Sequence, residues 1–276
     1  MPVLMFWNTG GSQVTDLIGR LCRHHEVDVL LLAELAIGSA ALLTGINQGE
    51  ASPFTESVTV QTAVRVRLFT RYPLDRVQPI SDDGRVAIRQ IRPPLGRPLL
   101  LVAVHLPSKL HAGPYDQGSA IRDLREQITE AERRVGHRNT VVIGDFNVDP
   151  FDPAMVAADG LHGMMDRQVA LREARTVNGI SRDFFYNPMW SRLGDDSHGP
   201  PGTYYYPSGA PLSFFWHSFD QVLLRPALLS CYRAEGLVVP AEVDGRALRG
   251  PAGRGRSESD HLPVVIRLDT EREMNA

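Results

Sequence analysis

Short apolar runs alternate with helical spacings along this chain. Val3 to Trp7 is strand-like, and Val14, Leu17, Ile18 and Leu21 then recur at the steps of an amphipathic helix. Val27 to Ala33 reads as a buried strand. Val64 to Phe69 and Val86 to Ile91 alternate in part and are further strand candidates. Leu99 to Val104 is an unbroken apolar run bounded by polar residues, which predicts a central strand. Ile121, Leu124, Ile128 and Ala131 mark a helix, with Ser119 as its candidate cap. Thr140 to Ile143, Val222 to Leu224 and Val264 to Ile266 complete the strands. Strands interleaved with helices predict an α/β architecture. No repeat, low-complexity tract or linker divides the chain, so one domain over residues 1–276 is expected. Residues 178–218, rich in aromatics, Pro and Gly, and residues 244–259, rich in Arg and Gly, are expected to be long loops.

The polar residues fall at the ends of these strands. Asn8 follows Trp7, Glu34 follows Ala33, and His105 follows Val104. The run ending at Ile143 leads through Gly144 to Asp145 and Asn147. Ligands in open α/β sheets gather at the carboxyl ends of strands. Two later segments reverse the order: Asp220 precedes Val222, and Asp260 and His261 precede Val264. If those strands run antiparallel to the earlier ones, every one of these groups lies on one rim of a mixed sheet. Oxygen donors dominate the rim, which suits a hard cation such as Mg2+ or Mn2+ rather than zinc. The histidines add acid–base chemistry near neutral pH. Together these groups suit hydrolysis of a phosphoester.

Composition narrows this only a little. A net charge of -3 argues against a nucleic-acid binder that works through its whole surface, but leaves room for a local basic patch. The two cysteines, Cys22 and Cys231, form no disulfide framework, so a reducing compartment is the default. The amino-terminal segment lacks a basic leader and no apolar run is long enough to span a bilayer, so a cytoplasmic protein without membrane or obligate protein partners is expected.

The rim also carries a resemblance. Gly144-Asp145-Phe146-Asn147 resembles the GDFN signature of the endonuclease/exonuclease/phosphatase superfamily, and Ser259-Asp260-His261-Leu262-Pro263-Val264 resembles its SDHxPV signature. Trp7-Asn8, Glu34, Val104-His105 and Phe219 to Leu223 match its other blocks in order, so the likeness runs from residue 3 to residue 268. One departure is Ala33, where the family often has Gln before the metal-binding Glu. The resemblance implies a four-layer α/β/β/α sandwich of two packed mixed sheets, and in-line attack of water on phosphorus. It implies Glu34 as principal metal ligand with Asn8 and Asp260 nearby. It further implies His261 as base or phosphate holder oriented by Asp220, Asp145 and Asn147 as positioning groups, and His105 on the opposite side. A segment Thr70-Arg71-Tyr72-Pro73 resembles the family's SRYP, which makes Arg71 or Arg85 a candidate phosphate contact.

Singly, most of these residues have structural readings. Asn8 alone reads as a turn cap, Glu34 as an exposed loop residue, His105 as an interior histidine, and Asp145 with Asn147 as turn formers. Asp260-His261 reads functionally even alone, and the set in family order reads as an active site. Cys22-Arg23-His24-His25 is no metal site, because residues one or two apart on a helix do not share a face. Lys109 reads equally as a phosphate contact and a solvated lysine. Eleven of the chain's aromatics lie between Phe184 and Phe219. Most are expected to pack the segment down, with one or two left to stack on bases. Arg254 and Arg256, with Arg246 and Arg249, make the loop before Asp260 a candidate substrate contact. A nuclease or phosphodiesterase acting on nucleic acid or nucleotide is the leading expectation. Inositol phosphate or lipid head-group hydrolysis and a non-catalytic binding protein are the alternatives.

Overall fold

The computed structural model describes residues 1–60, 64–109, 113–249 and 259–271. The strands of its first half are β1 (Val3–Asn8), β2 (Val29–Ala33), β3 (Thr55–Glu56), β4 (Val66–Thr70), β5 (Val77–Asp82), β6 (Val86–Ile91), β7 (Leu99–His105) and β8 (Thr140–Asp145). Then come β9 (Gly163–Met164), β10 (Ala174–Val177), β11 (Ile180–Asp183), β12 (Phe185–Tyr186), β13 (Tyr204–Tyr205) and β14 (Trp216–His217). The last are β15 (Asp220–Leu224), β16 (Tyr232–Val238), β17 (Glu242–Val243), β18 (Arg246–Ala247) and β19 (Val264–Leu268). The helices are α1 (Thr15–His24), α2 (Ser39–Ile46), α3 (Pro114–Val135), α4 (Pro153–Val156) and α5 (Arg167–Ala170).

Two large mixed sheets result. One has six strands in the order β16-β19-β1-β2-β4-β3, the other seven in the order β5-β6-β7-β8-β15-β12-β9. Among the described residues, parallel pairing is confined to β1 with β2, β7 with β8 and β9 with β12. The first two pairs are joined by α1 and α3, since parallel neighbours need a crossover and a helix supplies it. The alternation of β7 shows how the layers meet. Leu99, Leu101 and Ala103 join the core shared with the six-stranded sheet, while Leu100, Val102 and Val104 pack with Ile121, Leu124 and Ile128 of α3. The sandwich is therefore four-layered, with helices outside both sheets.

Local chemistry explains most boundaries, including those the pattern misplaced. The helix carrying Ile121 begins at residue 114, so Ser119 lies inside it and is no cap. The Asp116 carboxylate instead accepts from the Gly113 N–H at 3.1 Å, and Gly136 at φ 74° closes the other end. Residues 178–218 are not one long loop: they hold β11, β12 and a β13–β14 hairpin, elements too short for a periodicity to reveal. The described part of 244–259 contains β18, paired with β17.

Candidate active site

Strand register builds the site. His105 pairs with Asp145 across β7 and β8, and Asp145 pairs with Asp220 across β8 and β15. The three side chains thus form a row at one end of the seven-stranded sheet. In the other sheet Asn8 pairs with Ala33, which places Glu34 one step beyond β2. Because β19 runs antiparallel to β1, with Phe6 opposite Val264, the residues before β19 return to the same end. Strands β15 and β19 do run antiparallel to their neighbours β8 and β1, and the polar groups converge on a cleft of about 770 Å3.

The backbone holding these groups is tightly specified. Gly144 has φ 152°, and a Cβ there would stand 2.0 Å from the Val104 carbonyl oxygen, so only glycine fits before Asp145. Glu34 and Asn147 have φ of 49° and 55°, a left-handed conformation that persists only where surroundings enforce it. For Glu34 they do: its carbonyl accepts from Thr9 Oγ1 at 2.8 Å and from the Gly11 N–H at 2.9 Å. For Asn147, the N–H donates to Asp145 Oδ1 at 2.8 Å and Nδ2 to the Leu106 carbonyl at 3.0 Å. Ser259 fastens the carboxyl-terminal block, donating to the Asn8 carbonyl at 2.6 Å and accepting from the His261 N–H at 3.0 Å. Trp7 Nε1 donates to the His261 carbonyl at 2.9 Å.

At the centre, His261 Nδ1 and Asp220 Oδ2 are 2.8 Å apart. Asn8 Nδ2 donates to Asp145 Oδ2 at 3.0 Å and to Glu34 Oε1 at 3.3 Å, and His105 Nε2 stands 3.3 Å from the same Glu34 oxygen. Burial opposes protonation of His261, but the facing Asp220 carboxylate, with Asp145 and Asp260, holds its pKa up to about 10. Burial raises Asp145 to about 6 against the pull of His261. The hydrogen bond from His105 lowers Glu34 to about 2. The cleft thus sets a carboxylate held toward its charged form beside a second whose burial resists ionisation and an imidazole that the surrounding carboxylates hold toward its protonated form.

The donor set fits a hard divalent cation. Glu34, Asp145, Asp220 and Asp260 gather four carboxylates around one cleft, with His105 and His261 between them. Half-exposed Glu34 and exposed Asp260 stand where a hydrated ion can reach. Asn8 presents its NH2 to the carboxylates while Oδ1 accepts from the Gly10 N–H at 3.0 Å, so ligation through oxygen requires the amide to turn. Asp145, Asp220 and His261 also bring ligand atoms within 4.8 Å of one another. Since His261 Nδ1 is engaged by Asp220, that trio is better suited to moving protons than to caging a metal.

Asn8, Glu34, Arg85, His105, Asp145, Asn147, Asp260 and His261 line this cleft, with Asp220 buried behind His261. Arg85 lies just before β6, whose Val86 pairs with Val104, and so flanks His105. Arg71 does not belong here. Strand β4 runs antiparallel to β2, with Thr70 opposite Val29, so the residue after β4 emerges at the opposite rim. There Arg71 donates to the Val27 carbonyl at 3.0 Å and to Glu50 at 2.9 Å. Arg254 and Arg256 lie outside the described residues. Arg249 is turned onto Tyr205 and Trp216, 4.3 and 5.0 Å from their ring centres.

Reading the sequence did not single out Tyr204, His217 or Arg65, which also line the cleft. Tyr204 packs 4.6 Å from the His261 ring and 5.2 Å from Phe219. Only the aromatic density of its segment pointed toward it. No helix among the described residues is long and apolar enough to cross a membrane.

A model of the Endonuclease/Exonuclease/phosphatase family matches residues 5–261. No curated protein matches the chain. Among solved structures, the chain resembles the 3' phosphatase NExo from Neisseria, bound to product DNA hairpin, at 16% identity and TM-score 0.56, covering 98% of this chain and 100% of that one. It resembles D. rerio TDP2 complexed with single-strand DNA product at 20% identity and TM-score 0.51, covering 98% and 99%. It resembles an AP endonuclease from Archaeoglobus fulgidus at 15% identity and TM-score 0.53, covering 98% and 100%. At these identities the likeness is one of fold.

Proposed function

This chain belongs to the endonuclease/exonuclease/phosphatase family, and from that premise we propose that it hydrolyses phosphodiester bonds of nucleic acid or nucleotides with the aid of a divalent cation. The observation that carries the reading is the His261–Asp220 pair at 2.8 Å, set in the same cleft as Asp145 and Glu34. Mg2+ or Mn2+, held by Glu34 with Asn8 and Asp260, would offset charge on the non-bridging phosphate oxygens and acidify water. Water attacks phosphorus in line, the bond to the leaving oxygen breaks, and that oxygen takes a proton from solvent in the open cleft to depart as the alcohol. Asp145, raised toward neutrality by burial, takes the water's proton. Asn147 positions the phosphate. His261, protonated and fixed by Asp220, donates to a phosphate oxygen through Nε2. His105 and Arg85 contact the phosphate from the opposite side. The DNA bound to NExo and TDP2 supports nucleic acid as the polymer.

Assays on bis-p-nitrophenyl phosphate, single-stranded DNA, plasmid DNA and RNA test this. Cleavage with Mg2+ or Mn2+, abolished by EDTA, is expected. Cleavage indifferent to EDTA would remove the cation from the mechanism. Metal binding without diester cleavage would move the reading to phosphomonoesters or head groups, and neither activity would leave a binding protein. One observation favours a lipid head group: Leu212 and Phe214, in the segment joining β13 to β14, are 78% and 57% exposed, and Phe214 packs edge-on to His217 of the cleft wall. Faster hydrolysis of vesicle phosphodiesters than of DNA would make that reading the better one.

A further inference from the structure

A second histidine–aspartate pair stands in the cleft and has no part in the reaction just described. His217 Nδ1 lies 2.8 Å from Asp149 Oδ2, and Asp149 Oδ1 accepts from the Ser218 N–H at 2.9 Å. Asp149 is 3% exposed, so both its oxygens are engaged in holding this turn and this ring. The His217 ring stacks on Phe219 at 4.7 Å with 22° between planes. Lys109 Nζ lies 5.3 Å from the centre of the same Phe219 ring. An imidazole and an ammonium thus flank one aromatic side chain, and both line the cleft. Tyr204 stands between the two histidines, 4.6 Å from His261 and 6.5 Å from His217.

These contacts fix what His217 offers. With Nδ1 facing Asp149, Nε2 is the nitrogen turned away from the carboxylate. A carboxylate behind an imidazole fixes ring direction and keeps a proton on Nδ1, so Nε2 donates to an anion only in the doubly protonated ring, the form that a phosphate facing it would favour. Lys109 adds positive charge. Its ion pair with Asp152, at 3.4 Å, is exposed and easily exchanged for a better partner. A neutral leaving group needs no ammonium and oriented imidazole beside it, and the scissile phosphate is already served by His261, Asn147 and His105. Two further donors one aromatic ring away suit another anionic group of the same molecule.

We infer that His217, oriented by Asp149 and assisted by Lys109, binds a second phosphate one link from the scissile one, so that the substrate carries consecutive phosphates as an oligonucleotide does. The inference rests on the phosphodiesterase reading and narrows it: a substrate with a single phosphate leaves this subsite empty.

The test compares three dinucleotides, TpT, pTpT and TpTp, by KM in cleavage and by calorimetric affinity in EDTA. In the wild type, one of the two phosphorylated dinucleotides should show about a tenfold or greater advantage over TpT, the effect of one charge-assisted hydrogen bond. His217→Asn keeps an amide where Nδ1 meets Asp149 and removes the nitrogen facing the cleft. In it the advantage should fall below about twofold. His217→Gln places an amide near the Nε2 position and should retain part of the advantage. Leu95→Ser, at an exposed position outside the cleft lining, should retain all of it. Equal treatment of the three dinucleotides by the wild type would overturn the inference, as would an advantage that survives in His217→Asn. The binding measurement keeps the two readings apart. A His217-dependent affinity advantage without cleavage would sink the catalytic reading alone, whereas cleavage without that advantage would sink the subsite alone.

Discussion

Replacing His261 with alanine should lower kcat/KM on a phosphodiester by roughly a hundred- to ten-thousand-fold, the range seen when a positioned proton-handling group is lost. The substitution has a structural consequence that must be separated from the chemical one. Asp220 is fully buried, and its Oδ1 already lacks a partner. Without His261, Oδ2 loses its partner as well, at a cost on the order of 3–5 kcal/mol for the stranded charge. Adding Asp220→Asn to His261→Ala removes that charge. The double variant should therefore regain thermal stability while its activity falls no further than the single variant's, since the two residues act as a unit. Steady-state kinetics and a melting curve on both variants decide the matter. Activity in His261→Ala within about fivefold of wild type would exclude the role assigned to it.

Gly144→Ala should be the most damaging methyl addition near the site. The new Cβ would stand 2.0 Å from the Val104 carbonyl oxygen, and φ of 152° is a conformation that alanine adopts only under strain. Strain and overpacking together should cost about 3 kcal/mol or more. For a chain of this size that lowers Tm by roughly 6–12 °C. Relief requires β7 and β8 to separate, which moves His105 away from Asp145, so activity should fall with stability. Gly179→Ala is the contrasting control: its φ is also positive, at 77°, but no atom lies within 4 Å of the added carbon. A Tm for Gly144→Ala within about 2 °C of wild type would show that the strands do not meet as described.

The central strands were legible because they are buried on both faces, and burial leaves an unbroken apolar run. The outermost strands were not. Strand β5 forms one edge of the seven-stranded sheet and carries Pro79 beside a register shift, and β16 forms an edge of the other sheet with Arg233, Glu235 and Gly236 in its middle. Edge strands tolerate proline and charge because one side of the ladder faces solvent. The rim was legible for a related reason: a polar residue directly after a buried strand can only emerge at its end. Arg71 was misread because its motif was taken without the direction of the strand before it. His217 was hidden in a two-residue strand, and its partner Asp149 sits just past a motif that seemed already explained. Pairs brought together across 68 residues have no periodicity to betray them.

The site is divided between the two sheets, with Asn8 and Glu34 from one and His105, Asp145 and Asp220 from the other. Three contacts between site residues stitch them across the gap: Asn8 to Asp145 at 3.0 Å, His105 to Glu34 at 3.3 Å, and His261, just before β19, to Asp220 at 2.8 Å. Catalysis is then a vernier on the seating of one slab against the other. A conservative exchange deep in the sandwich, far from any substrate, can slide the slabs by a fraction of an ångström and mute the enzyme while every strand keeps its neighbours. On warming, turnover should fade before either ladder of backbone hydrogen bonds comes apart.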